Sequence, residues 1–412
     1  MLKLKQEYID LVNKCEKELL DIFNEIDNQC YINSKKILDA FHKNNISESD
    51  LNGTTGYGYN DVGRDKIEKI FAYILDSEDA LVRTQIISGT HAISTALFGV
   101  LRPNDTLLSI TGLPYDTLHE VIGIKENNSS LKSYNINFEM IDLKDNDFDY
   151  DKIKEFITNN KVKMIHIQRS RGYSLRDSLT IDKVKKVIKL IKDINNKIII
   201  FVDNCYCEFV EDETPTKVGA DLMAGSLIKN LGGGIAHNGG YIAGNTDLIK
   251  LCAEKLNVPG EGREVGPSDN ANRLFLQGLY LSPAVVSSSL KASILTSKVL
   301  ESLGYKVSPK YNDKRADIVE LIYLENENNM IKYSTGIQGA SAIDGNVEPV
   351  PGDMPGYDEK VIMASGSFIQ GSSIEISCDG PIRSPFVIYQ QGSLTYEYGK
   401  IALINAISKL NE

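Results

Sequence analysis

The chain has 412 residues, 42% of them hydrophobic and 25% charged, and 56 acidic against 45 basic side chains give it a formal net charge of -11. That balance excludes an extended nucleic-acid surface, which needs a clustered excess of Lys and Arg. No stretch approaches the roughly 18 apolar residues of a membrane span, and six scattered cysteines without zinc-type spacing lead us to expect a reduced, cytoplasmic protein with no metal site.

The start, MLKLKQEYIDLVNKCEKELL, alternates charged and apolar residues at helical spacing and reads as an amphipathic helix rather than a signal peptide. Residues 1–60 form an N-terminal helical arm ending in the loop LNGTTGYGYNDVGR, too rich in glycine for a helix. Over 61–280, strand-like runs alternate with helical patterns: ALVRTQII, HAISTALFGVL, TLLSI, MIHIQ, IDKVKKVIKLIKDI, KIIIFVD, DLMAGSLI and GGYIAG. Several of the strands are apolar throughout, as expected where helices cover both faces of a mainly parallel sheet, so the fold class is α/β. Residues 281–412 add a linking helix, SPAVVSSSLKASILTSKVLESLG, and a smaller α+β C-terminal domain with KVIMASGSFIQ and SIEIS as strands and TYEYGKIALINAISKL as a closing helix. Ahead of those strands, DGNVEPVPGDMPGYDEK is a Gly/Pro loop of the kind that borders sites.

Asp203 ends KIIIFVD, a strand too apolar to bury a carboxylate without a partner. Lys229, in GSLIKNLGGG, closes the next strand-like run, so two strand ends of one parallel sheet present the pair to one crevice. Upstream, SGTHA joins a strand to a helix and sets the N–H groups of Gly89, Thr90 and His91 where an anion is stabilised. An acid, an imine-forming lysine and a phosphate cradle call for a phosphorylated aldehyde with a basic ring nitrogen, which is pyridoxal 5'-phosphate. Cys205 and Cys207 flank Tyr206 with one residue between them, a spacing of packing rather than of a redox pair.

SGTHA, PYDT, VDNCYCEF and GSLIKNLGGG occur in the order of a fold-type I pyridoxal-phosphate enzyme of the cystathionine and methionine lyase superfamily. More closely, GTTGYGYNDVGRD, SGTHAISTALFGVLRPND, VDNCYCEFVE, GSLIKNLGGGIA, QGLYLSPAVV and GSSIEISCDGPIR together resemble the methionine gamma-lyase-like, or aluminium-resistance, branch over nearly the whole chain. The resemblance implies that Lys229 is the Schiff-base lysine and removes the Cα proton, and that Asp203 keeps the pyridine nitrogen protonated. It implies that Tyr115 stacks on the ring and protonates the leaving group, while Gly89, Thr90 and Ser226 hold the phosphate, with His91 contributing through its backbone. Tyr57 or Tyr59, with Arg64, matches residues that relatives lend to a neighbouring subunit's phosphate, so a homodimer is the minimal unit and a homotetramer is expected.

For the carboxylate of an amino-acid substrate the resemblance points to Arg383, assisted by Ser373, because a planar guanidinium meets a carboxylate with two parallel bonds. Arg169, Arg171 and Arg176 in QRSRGYSLR either hold a second acidic group of the substrate, with Arg171 the candidate, or pair with surface carboxylates. One departure is Ile228, where the cystathionine enzymes usually carry threonine. The implied activity is a carbon-sulfur lyase. β-elimination from cystathionine or cysteine would give pyruvate, and γ-elimination from methionine or cystathionine would give 2-oxobutyrate. Transamination, γ-replacement and a catalytically idle scaffold stand as alternatives.

Overall fold

The computed structural model describes residues 2–354 and 357–412. Seven short strands form the main sheet: β1 (Asp79–Arg83), β2 (Thr106–Ser109), β3 (Asn137–Met140), β4 (Met164–Gln168), β5 (Ile199–Asp203), β6 (Leu222–Ser226) and β7 (Gly240–Gly244). Their order is β1-β7-β6-β5-β4-β2-β3. Only β7 runs against its neighbours β1 and β6; the other six share a direction, so their carboxyl ends lie along one edge.

Successive residues of each strand point to opposite faces, and both faces are covered. Ile200 and Val202 of β5 join Ile165 and Ile167 in a core roofed by the helices Val62–Ile74, Tyr150–Asn159 and Ile181–Ile194. Phe201, between them, joins Met164, Leu222 and Ala224 in a second core under the helices Gly89–Val100 and Thr246–Leu256. All three β5 side chains are fully buried, each contributing about 1.5–3 kcal/mol by its removal from water. This is why the run reads as apolar without alternation.

The second sheet is antiparallel, in the order β10-β11-β12-β9-β8. Its strands are β8 (Val307–Ser308), β9 (Glu320–Tyr323), β10 (Val361–Ala364), β11 (Ser377–Pro381) and β12 (Val387–Gln391). The expected strand SIEIS is mostly a turn, and β11 begins only at its last residue, Ser377. The Glu375 carboxylate accepts the backbone N–H groups of Phe368 at 2.7 Å and Ile369 at 2.9 Å, a local capture that competes with a ladder.

The 32-residue helix Ala271–Ser302 ties the halves together. Phe275, Leu276 and Leu279 enter the main-sheet core, and Ile294, Leu295, Val299 and Leu300 enter the core under the second sheet. Residue 281 therefore falls within a continuous helix. The N-terminal segment is divided in the same way: Val12 and Cys15 of the helix Gln6–Lys17 pack into the C-terminal core, while Ile37 and Ala40 of the helix Leu20–Lys43 pack into the main one.

Candidate active site

Two strand ends and one helix start form the centre of the site. Asp203 closes β5 and is buried, and its Oδ1 accepts the backbone N–H of Cys205 at 3.1 Å. Just past β6, Lys229 opens the tight turn Asn230–Gly232. The third element is the helix Gly89–Val100. A Cβ placed on Gly89 would lie 3.1 Å from Cys205 Sγ, 3.5 Å from Ser226 Cβ and 4.0 Å from Lys229 Nζ. The absence of a side chain at Gly89 keeps the space between these groups open.

Ser88 caps this helix, its Oγ accepting His91 N at 3.1 Å. The N–H groups of Gly89 and Thr90 stay free of intrahelical partners at the positive end of the helix. His91 departs from expectation: its backbone N–H is taken by Ser88, and its Nδ1 accepts Ile87 N at 3.2 Å, so it braces the turn. Thr90 Oγ1 pairs with Thr117 Oγ1 at 2.7 Å, and Ser226 Oγ accepts Ile228 N at 3.4 Å.

Lys229 Nζ stands 4.0 Å from the centroid of the Tyr206 ring. Burial disfavours the ammonium, but Cys205, Tyr206 and Asp203 outweigh it and leave the pKa raised. Tyr206 holds a left-handed backbone (φ 72°), rare outside glycine, and Ser373 Oγ donates to its Oη at 3.2 Å. Ser373, expected to assist Arg383, is thus joined to the ring beside Lys229.

Tyr115 donates its backbone N–H to Gln168 Oε1 at 2.7 Å, and its Oη is hydrogen-bonded to Tyr357 Oη. Its ring centroid lies 6.1 Å from that of Tyr173 and 6.4 Å from that of Tyr357, which are 5.4 Å from each other. Burial pushes the Tyr115 hydroxyl well above its ordinary pKa.

The arginines divide. Arg383 is half exposed, donates to Glu359 Oε1 at 2.9 Å, and lines a cavity of about 320 Å³ with Tyr173 and Tyr357, one step out from Tyr115. Arg171 does not fit the role expected for it. Its guanidinium is buried and donates to Ser308 O and Oγ, both at 3.2 Å, and to Ser178 Oγ at 3.5 Å, which makes it a brace to β8. Arg169 is likewise engaged internally, with Asn204 Oδ1 at 2.7 Å and Glu211 Oε2 at 2.5 Å, and Arg176 with the carbonyls of Gln168 and Ser170. The carboxylate pairing that the sequence also allowed is present in part: Arg171 Nη2 lies 3.8 Å from the half-exposed Asp177 Oδ1, and Arg169 pairs with the buried Glu211.

Arg64 is buried, with Nη1 donating to Gly58 O at 2.8 Å and Gly266 O at 2.9 Å. It holds the loop on which Tyr57 and Tyr59 stack at 5.4 Å with both rings exposed. Among the described residues, none of their hydrogen bonds or ring contacts reaches the group around Lys229 in the same chain.

Four neighbours of the site escaped the sequence reading. In β4, His166 is buried with neither ring nitrogen hydrogen-bonded among the described residues; burial pulls its pKa down to about 4 against the opposing effect of Asp203, so the ring is neutral. Glu208 accepts Tyr241 Oη at 2.7 Å, and burial raises its carboxyl to about 7. Asp379 accepts Ser377 Oγ at 2.9 Å and Gln391 Nε2 at 3.2 Å, with its pKa raised by burial and drawn back by Tyr173, Ser377 and Lys229. Tyr357 is the fourth. The argument that singled out Asp203, an acid in an apolar run, applies equally to Glu208 in VDNCYCEFV.

Taken together, the helix-start N–H groups and Ser226 suit a phosphate, Asp203 a ring nitrogen and Lys229 an aldehyde, so the residues fit pyridoxal phosphate. A larger cavity, of about 540 Å³, lies apart from these groups, between the helices Leu20–Lys43 and Ala271–Ser302.

Comparison with known proteins agrees. The family described as Methionine gamma-lyase matches residues 8–411. YnbB of Bacillus subtilis (strain 168), an uncharacterized protein, is 48% identical over 398 residues, 96% of this chain and 94% of its own. A solved structure from Clostridium acetobutylicum, provisionally described as a cystathionine beta-lyase involved in aluminium resistance, is 44% identical with a TM-score of 0.96, covering 98% of this chain and 96% of its own. The pyridoxal-5'-phosphate-dependent protein YhfS of Escherichia coli, at 16% identity and a TM-score of 0.63 over 93% of this chain and 97% of its own, shares the fold.

Proposed function

The chain belongs to the methionine gamma-lyase family, and from that premise we propose that it uses pyridoxal 5'-phosphate to break the carbon-sulfur bond of a sulfur amino acid, releasing a thiol, ammonia and a 2-oxo acid. The observation that carries this reading is the convergence at Gly89, the first residue of its helix, where an added Cβ would lie 3.5 Å from Ser226 Cβ and 4.0 Å from Lys229 Nζ. When bound, the cofactor supplies an electron sink for the carbanion formed at Cα.

The chain's residues do the rest. Gly89, Thr90 and Ser226 would hold the phosphate, and Asp203, buried at the end of β5, would pair with the ring nitrogen and favour its protonated form. Lys229 would hold the cofactor's aldehyde carbon and, once freed by substrate, would accept the Cα proton at Nζ. Tyr115 protonates the departing sulfur. Arg383, with Ser373, receives the substrate carboxylate. β-Elimination from cystathionine or cysteine requires one proton from carbon, whereas γ-elimination from methionine or cystathionine requires a second, from Cβ, which Lys229 would also accept. A dimer that lends Tyr57 or Tyr59 and the Arg64-held loop to its partner's phosphate accounts for two stacked tyrosine rings left exposed, and a cytoplasmic setting accords with six free cysteines.

The experiment is a visible spectrum of wild type and Lys229→Ala with added pyridoxal phosphate, followed by assay of pyruvate and 2-oxobutyrate from sulfur amino acids. We expect a visible band and turnover in the wild type alone, the variant losing at least about a thousandfold in activity. Turnover retained by Lys229→Ala would sink the reading.

A further inference from the structure

The loop DGNVEPVPGDMPGYDEK carries one side chain that the proposed reaction has not used. Tyr357 approaches the site from the stretch before β10, its backbone N–H bonded to Met354 O at 3.2 Å, and among the described residues its Oη is the hydrogen-bond partner of Tyr115 Oη. Tyr357 also lines the cavity of about 320 Å³ with Asp116, His119 and Arg383, a cavity whose lining does not include Tyr115. The phenol assigned above to the departing sulfur is therefore joined, hydroxyl to hydroxyl, to one that faces the cavity.

We propose that Tyr357 supplies Tyr115 with the proton that Tyr115 gives to the departing sulfur. This rests on the lyase reading above, in which Tyr115 is the acid. The S–C bond breaks with its electron pair going to sulfur, and the Tyr115 hydroxyl proton passes to the thiolate. The Tyr357 hydroxyl proton then passes to the Tyr115 oxygen, and Tyr357 regains a proton from water in the cavity. The proton that Lys229 took from Cα returns to solvent in the same turnover, so the charge balances. Burial raises both hydroxyls above the ordinary tyrosine value, so each carries its proton and can donate at neutral pH. Tyr357 acts through Tyr115, as a positioning and proton-supplying residue.

The test is Tyr357→Phe in the holoenzyme, which keeps the ring contacts with Tyr115 and Tyr173 and removes only the hydroxyl. It is assayed on two compounds: the thioether amino acid that the wild type cleaves best, whose alkyl thiolate needs a proton, and β-chloroalanine, whose chloride does not. We expect the thioether rate to fall about tenfold or more and the chloride rate to stay within about twofold. An equal fall on both would make Tyr357 a structural wall, and no fall on either would remove it from the proton path; each overturns the relay while leaving the lyase intact. A wild type that cleaves neither compound overturns the lyase reading and the relay with it. A second arm needs no turnover. In cofactor-free protein labelled with 3-fluorotyrosine, the fluorine resonance that vanishes in Tyr115→Phe should shift in Tyr357→Phe, and an unmoved resonance would show that the two hydroxyls are not joined.

Discussion

Lys229 Nζ lies 4.0 Å from the centroid of Tyr206, and Tyr206 is held in turn by Ser373, which donates to its hydroxyl at 3.2 Å. The lysine from the main sheet is thus seated on a ring fixed from the C-terminal half, so the site exists only where the two halves meet. A cation over a phenol face is stabilised by the ring quadrupole, which adds to the charges that keep this amine protonated before any aldehyde arrives.

Gly89→Ala should separate cofactor binding from folding. A new methyl 3.1 Å from Cys205 Sγ occupies the cradle, while the helix start tolerates alanine. Titration of cofactor-free protein with pyridoxal phosphate should show affinity weakened by about tenfold or more, roughly 1.4 kcal/mol, with little change in the urea midpoint. Adding Cys205→Ala should recover part of the loss, and unchanged affinity in Gly89→Ala would place the phosphate elsewhere.

Glu208 predicts a pH dependence of stability. Its folded pKa of about 7 stands above the ordinary 4.5 because burial disfavours the charge, with Tyr241 opposing. The neutral form is the one the fold favours, so its contribution is complete below about 4.5 and is lost as the pH rises through about 7. Relative to Glu208→Gln, the wild type should lose on the order of 3 kcal/mol between about pH 4 and pH 8. Urea unfolding of both proteins across that range decides the matter, and parallel curves would exonerate Glu208.

Arg383 and Arg171 should fail in different ways. Arg383→Ala removes a half-exposed guanidinium and should raise KM for the amino acid about tenfold or more with the melting temperature nearly unchanged. Arg171→Ala strips a buried brace from Ser308 and Ser178 and should cost about 3 kcal/mol of stability. Steady-state kinetics beside thermal melts separate the two, and the reverse pattern would exchange their roles.

Shared sites predict complementation. Lys229→Ala chains and chains carrying Tyr57→Ala with Tyr59→Ala should each be inactive, yet refolded together they should regain about a quarter of wild-type activity by random pairing into dimers. Sedimentation would show the dimer. A fully active monomer, or no recovery on mixing, would confine each site to one chain.

Much of this was legible in the sequence because the physics was local. A strand buried on both faces must read as apolar, so β4 and β5 stood out, and a charge stranded at the end of such a run marked Asp203 and Lys229. What escaped depended on partners far along the chain. Arg171 looked available because nothing near it in sequence shows that Ser308 receives its guanidinium. The alternation of SIEIS promised a strand, but the Glu375 carboxylate captured two backbone N–H groups instead. Tyr357 lies in a Gly/Pro loop without periodicity, and no pattern aims such a side chain at Tyr115.

The helix Gln6–Lys17 packs on the closing helix Tyr396–Leu410, where Glu16 accepts Tyr396 Oη at 2.6 Å and Lys400 Nζ at 2.7 Å. These partners stand 380 and 384 positions apart. At ribosomal rates of about 5–20 residues per second, roughly 20–80 s separate the appearance of the first from that of the second. Throughout that interval Val12, Cys15 and Leu19 have no finished core to enter. A helix made that long before its partner is late to find its place, so the nascent chain carries an unpaired apolar stripe throughout the interval, a standing target for chaperones.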